Sequence, residues 1–239
     1  MLWTKGTMPT AEPKRAAASE PDRKPRKASR ASRREQLIEA TIEVVAERGL
    51  SRTTLGEVAA RAGVAHGLVN FHFQSKETLL GETLLYLAEE YRQNWTDALA
   101  AVPPDDPAAQ LDALIRADFA PPVMTPARLA AWCAFWGEAQ SRPLYQAQCG
   151  SNDQAYIEVM EDICARLIAS GGYGLSPVRA ARVVRVTTEG TWLDLITMTR
   201  PYPATEALAT VHSCAAALFP RHFDENGLRR RRHPDGVLP

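Results

Sequence analysis

Residues 51–80 read SRTTLGEVAARAGVAHGLVNFHFQSKETLL, and their spacing predicts two short helices joined by a tight turn. Thr54-x-x-Glu57 is a capping box, in which the threonine caps the helix and the glutamate reaches back. Val58, Ala59 and Ala62 give this helix an apolar stripe. Gly63 ends it in the left-handed conformation that a residue without a Cβ adopts at little cost. A second helix is expected from about Ala65 to Phe73, with Leu68, Val69 and Phe73 on its core side. His66, Gly67, Asn70, Phe71 and, at the edge, His72 fall on the other face. Two helices about a small-residue turn, the second short and polar-tipped, fit the major groove of DNA. The same pattern also occurs as ordinary packing in all-α proteins.

Working outward, a first helix is expected from about Ser32 to Arg48, and Ser75 caps a fourth that runs to about Ala101. Beyond Pro103-Pro104, helical periodicity and proline punctuation place further helices near 106–119, 126–140, 143–170, 176–199 and 204–218. Ser176-Pro177 is a strong start and Gly171-Gly172 a strong stop. Residues 1–29 are rich in Pro, Ala, Ser and basic residues without periodic apolar positions. They are expected to be disordered, either a solvated tail or an arm that reaches DNA phosphates or the minor groove. Residues 220–239, with Arg229 to Arg232 in a row, are expected to form an unstructured tail.

The chain has 239 residues and a formal net charge of zero. That balance conceals a basic N-terminus, where ten Lys and Arg residues lie before residue 35 against Glu12, Glu20 and Asp22. A polyanion responds to the local field, screened over roughly 10 Å, and not to the whole-chain sum. Cys133, Cys149, Cys164 and Cys214 show no CxxC pair and no metal-ligand spacing, so they read as reduced thiols of a cytoplasmic protein. No apolar run is long enough to cross a bilayer, and the N-terminus lacks the apolar core of a signal peptide. Neither a nucleophile elbow, a P-loop nor a metal motif appears; no catalytic residue, metal or cofactor is expected.

Several motifs in residues 33–80 occur in one order: Arg34-x-x-Leu37-Ile38-x-Ala40, Gly49, Thr53-Thr54-x-x-x-Val58-Ala59-x-x-Ala62-Gly63-Val64, Gly67-Leu68 and Phe71-x-Phe73-x-Ser75-Lys76-Glu77-x-Leu79-Leu80. This ordered set resembles the DNA-binding domain of the tetracycline-repressor (TetR) family of bacterial regulators. The resemblance implies an all-α protein: a three-helix helix-turn-helix domain over residues 30–80 and a helical ligand-binding and dimerisation domain over 81–219. The blocks AWCAFWGEAQSRPLYQ (131–146) and TEGTWLDL (188–195) resemble the betaine-biosynthesis regulator (BetI) branch, whose members sense choline. The matching positions are Trp132, Phe135, Trp136, Pro143, Leu144, Tyr145, Gly190, Trp192 and Leu193, with Glu189 at an acidic position of that branch.

Aromatics with a carboxylate are the composition that holds a quaternary ammonium, and a desolvated cation over a ring gains about 2 kcal/mol or more. Trp132 and Trp136 share a helix face bordered by Phe135, and Glu189 and Trp192 share another. The candidate ligand residues are therefore Trp132, Phe135, Trp136, Tyr145, Glu189 and Trp192. Each tryptophan alone also reads as core, and Glu189 also reads as the partner of Arg185 one turn back.

Three positions depart from the family pattern. Ala65 stands where a capping Ser is usual, which costs roughly 1 kcal/mol. His72 replaces a phosphate-contacting Tyr, so DNA affinity is expected to rise below about pH 6.5. Asp194 replaces a residue commonly basic in the choline-sensing branch. By role, Thr53, Thr54, His72 and Lys76 are expected to meet phosphates, and His66, Gly67, Asn70 and Phe71 to face base edges. One such motif spans few base pairs, so a homodimer on a palindromic double-stranded operator is expected, packed through the small residues of the last two helices. A small-molecule effector would alter the spacing of the reading helices, releasing or tightening DNA. The alternatives are a hydrophobic drug-like ligand, a protein partner, or no gating.

Overall fold

In the computed structural model, which describes residues 29–229 except 122 and 138–141, Ser29 and not Ser32 opens the first helix. The Ser29 hydroxyl accepts the Ser32 amide at 3.1 Å, so α1 spans Arg30–Arg48 and begins earlier than its apolar pattern. The rest of the expected arm and residues 230–239 lie outside the described residues. Leu37, Ile38, Ala40, Ile42, Val44 and Val45 form the buried face of α1. The capping box at Thr54 is present in both directions, with bonds of 3.2 and 3.1 Å, and opens α2, Leu55–Arg61. Gly63 takes φ 65°, and α3 follows at His66–Phe73. Ser75 caps α4, Lys76–Ala100, a 25-residue helix about 37 Å long.

The remaining helices are α5 (Pro107–Ala117), α6 (Pro126–Gly137), α7 (Arg142–Gly171), α8 (Pro177–Thr197) and α9 (Ala204–Leu218). The cap at Ser176 with Pro177 as first helical residue opens α8 as its sequence predicts. After α9 the chain departs from the expected unstructured tail. Phe223–Asp224 (β1) pairs antiparallel with Gly227–Leu228 (β2), and Asp224 Oδ1 accepts the Asn226 amide at 2.9 Å. Phe223 is fully buried against Phe219 and pins this hairpin to the molecule. Gly227 has φ 110°, and a side chain there would press on Asp112 and Arg116.

Two cores result. One joins α1–α4 and includes Ala131, Trp132 and Phe135 of α6 and Cys149 of α7; the other joins α4, α5 and α7–α9 and includes Leu129 of α6. Burial of apolar area at about 25 cal/mol per Å² drives both. α6 therefore contributes to both cores, and Leu84, Leu87 and Ala88 of α4 pack in the first. The face of α8 also differs from expectation. Ala180, Ala181 and Val184 are buried inside the chain, as is Ala215 of α9, whereas Val183, Val186 and Leu193 are exposed.

Candidate functional site

The first candidate site is the outer face of α3. His66, Gly67, Asn70 and Phe71 are exposed there, on a helix tied to α1 by Arg34 Nη1 donating to the His72 carbonyl at 3.2 Å, while Gln36 Nε2 of α1 holds the end of α2 through the Ala62 carbonyl at 2.8 Å. Ala65 is the N-cap and makes no side-chain bond, so α3 starts without the usual acceptor. Thr54 is exposed at the start of α2, and Lys76 Nζ reaches the Ser51 carbonyl at 2.9 Å from the start of α4. The Arg30 guanidinium lies 5.5 Å from the Phe71 ring centroid, bringing a cation to this face that the sequence pattern did not single out.

Two expected phosphate contacts are turned inward instead. Thr53 is buried, its hydroxyl donating to the Gly49 carbonyl at 2.9 Å, where it ties the end of α1. His72 is also buried, edge-on to Phe71, with Arg34 Nη1 donating to its carbonyl at 3.2 Å. Burial, and then the charges of Arg30, Arg34 and Arg33, lower its pKa from the usual 6.5. A buried ring with a lowered pKa is poorly placed for the acid-enhanced phosphate contact expected from its position in sequence.

The second candidate site is a cavity of about 650 Å³ between α4, α6, α7 and α8. Four of the six expected ligand residues form its aromatic wall: Trp132, Trp136, Tyr145 and Trp192. Trp136 and Trp192 lie nearly parallel, their ring centroids 6.3 Å apart, and Trp132 sits 5.9 Å from Trp136. Tyr91 and Tyr156, which sequence reasoning missed, complete the wall; Tyr91 contacts Trp132 and Trp192 edge to face. Phe135 does not line the cavity, because it points into the core beneath α1. The Leu144 side chain is outside the described set.

The charge of the cavity also differs from expectation. Glu189 lines it, but Arg185 Nη1 bonds its carboxylate at 2.6 Å, so the helical pairing accounts for that acid. Asp153 accepts the Tyr145 hydroxyl at 2.8 Å, and burial raises its pKa. The deepest acid is Asp118 at the end of α5, 3% exposed. It accepts the Tyr91 hydroxyl at 2.9 Å and the Tyr156 hydroxyl at 3.1 Å, while the Trp192 indole donates to its backbone carbonyl at 3.1 Å. Burial pushes Asp118 up to about 7, opposed by the two tyrosine bonds and assisted by nearby Glu189.

The cavity is mechanically joined to the helix-turn-helix. Arg128, one turn before Trp132 on α6, makes a two-armed ion pair with Glu90 of α4 at 2.6 and 2.9 Å. The same guanidinium reaches Glu39 of α1 at 2.8 Å, where Tyr86 also donates at 3.1 Å. Trp132 touches the cavity on one side and the first core on the other.

Residues 37–83 match the model described as "Bacterial regulatory proteins, tetR family". Residues 107–220 match that for "BetI-type transcriptional repressor, C-terminal". The HTH-type transcriptional regulator BetI of Yersinia pestis (strain Pestoides F) is 31% identical over 189 residues, covering 76% of this chain and 89% of its own. Its counterpart in Escherichia coli (strain K12 / DH10B) is 29% identical over 185 residues, covering 75% and 93%. Among solved structures, a putative transcriptional regulator from Pseudomonas aeruginosa PAO1 superposes with a TM-score of 0.68 at 23% identity, covering 83% of this chain and 97% of that one. FadR from Bacillus subtilis, solved in complex with stearoyl-CoA, superposes with a TM-score of 0.63 at 19% identity, covering 77% and 97%. The last two likenesses bear on the fold alone.

Proposed function

Because the chain belongs to the tetR family of bacterial regulatory proteins and is a BetI-like, DNA-binding transcriptional regulator, we propose that it is a repressor whose hold on a palindromic operator is set by an organic cation in the α4–α8 cavity. The observation that carries this reading is the cavity itself: an aromatic wall over buried carboxylates, with a volume in the range of ligand pockets, where a solid core would have argued against gating. Ring faces attract a cation and reject nothing apolar on it, which suits a quaternary ammonium with a choline-like head.

DNA contacts are assigned to His66, Gly67, Asn70 and Phe71 at base edges, and to Thr54 and Lys76 at the backbone. The active species is a homodimer, with Val183, Val186 and Leu193 of α8 meeting their copies; three such exposed side chains on one helix are costly to leave in water. Ligand seated against Trp132 and Tyr91 shifts α6 and α4, and with them α1 and the reading helix. The size of that effect is bounded by the ligand's difference in affinity for the two conformers.

A second reading keeps the regulator and changes the ligand. The cavity is roomier than a choline-sized cation requires, and a long apolar molecule, of the kind whose acyl-CoA form sits in the B. subtilis structure, is its competitor. Fluorescence anisotropy on the DNA upstream of this protein's own gene, at fixed salt, separates the two. Selective binding altered by choline supports the cation; selective binding altered by a fatty acyl-CoA and not by choline supports the apolar ligand. Binding without sequence selectivity on that fragment counts against self-regulation.

A further inference from the structure

Asp118 has two hydrogen-bond donors and, among the described residues, no ion-pair partner. Tyr91 reaches it from α4 and Tyr156 from α7; both are phenols whose own ionisation is driven well up by burial. The charge acting on it is Glu189 of α8, which disfavours its ionised form; Arg185, also on the cavity wall, is bonded to Glu189. Asp153 on α7 is occupied by the Tyr145 hydroxyl. A fully buried carboxylate without a cation is expensive to ionise, because two neutral donors offset only part of its lost hydration. It lines the cavity of about 650 Å³, and the walls beside it are Trp132, Trp192 and the tyrosine rings.

We propose that Asp118, and not Glu189, is the ionic anchor of the cavity, and that an organic cation entering it displaces the Asp118 proton to solvent. The inference rests on the cation reading above and adds the residue that selects charge and a linkage between effector and pH. In the empty cavity the carboxyl sits near neutrality in its titration, about 7. A cation against it stabilises the ionised form, so binding and proton release are coupled. Below pH 7 the cation must first expel a proton, and its affinity falls; above, the anchor is ready-made. A group titrating near 7 lowers apparent affinity by about tenfold between pH 8 and pH 6. A neutral ligand of the same shape gains nothing from the ionised carboxylate and is disfavoured by it.

The test is titration calorimetry of the full chain with choline and with its uncharged carbon isostere, 3,3-dimethylbutan-1-ol. Measurements at pH 6 and pH 8, in buffers of differing ionisation enthalpy, count the protons released. The expected result is choline affinity about tenfold tighter at pH 8, proton release at pH 6 and choline preferred over the isostere. Asp118→Asn should remove both the preference and the pH dependence. Should that variant not fold, Tyr91→Phe serves instead: losing one donor moves the midpoint of the choline pH profile upward. Choline binding that is flat in pH, or unchanged in Asp118→Asn, overturns the anchor and leaves the cation reading standing. No choline binding at either pH overturns the cation reading itself, and the anchor with it.

Discussion

Removing Arg128 tests whether the α6–α4–α1 ion pairs join the cavity to the reading head. Its side chain is 14% exposed and Glu90 is 18% exposed, with two bonds at 2.6 and 2.9 Å; Glu39 is 38% exposed and accepts one. Stripping one partner from a buried pair costs 3–5 kcal/mol, and exposed pairs are worth roughly 0.2–1 kcal/mol. The Arg128–Glu90 pair lies nearer the buried limit, so Arg128→Met is expected to cost about 2–3 kcal/mol. A double-mutant cycle with Glu90→Gln should give about 1–2 kcal/mol of coupling, and one with Glu39→Gln no more than about 0.5 after solvent screening. Urea unfolding at low and high salt is the assay. The Glu39 coupling should fade as salt rises and the Glu90 coupling should persist. In parallel, Arg128→Met should retain effector binding while the effector's influence on operator affinity shrinks. Two couplings both below about 0.3 kcal/mol, or a Glu39 term larger than the Glu90 term, would refute the reasoning.

Four further outcomes are expected. Ala65→Ser restores an acceptor at the start of α3, where the backbone is already extended, and should add about 0.5–1 kcal/mol and a few degrees of Tm by thermal melt. His72 is lowered in the folded state by burial first, so its neutral form stabilises the fold above about pH 6.5 and that contribution is lost as pH falls toward the depressed value. His72→Phe should flatten this part of the stability profile, and operator affinity of the parent protein should not rise between pH 8 and pH 6. Lys76→Ala should weaken binding to all sequences and reduce the salt slope by about one charge, whereas Asn70→Ala should relax preference at one base pair; anisotropy on matched and mismatched operators distinguishes them. Val183→Glu, on the exposed face of α8, should turn a dimer into a monomer in sedimentation velocity and weaken operator binding with it.

The helices were legible because their ends are local. Ser75, Ser176-Pro177 and the Thr54–Glu57 box each specify a boundary within a few residues, whatever the chain does elsewhere. The hairpin at 223–228 was not, since two-residue strands have no alternation to read; the Asn226-Gly227 pair was its one available signal. Trp132, Trp136 and Trp192 were picked out by the resemblance to the BetI branch, with residue type and spacing in support, and all three line the cavity. Asp118 was not, because it is a single acid at a helix end whose meaning comes from Tyr91 and Tyr156, far away in sequence and brought together only by packing. For Glu189 the sequence left two readings open, cavity acid or partner of Arg185; it lines the cavity and also makes the local i,i+4 pair. His72 lies at the edge of a helical face, where a small rotation decides between solvent and core, and Thr53 lies in the loop before α2, where its hydroxyl turns back to the Gly49 carbonyl.

Trp132 belongs to two places at once, the core that holds the reading head and the wall of the cavity proposed to take the effector. A screen for the unknown effector therefore needs no operator. Any compound that seats against this indole braces the reading head by mass action, about 2.7 kcal/mol at a hundredfold excess over Kd, and announces itself as a later melt of the entire chain. The converse holds for breeding new sensors from this scaffold. Exposed side chains on the α8 wall such as Leu193 are open to exchange as far as the proposed dimer contact allows, whereas recarving the α6 wall trades away the footing of the DNA-reading helices.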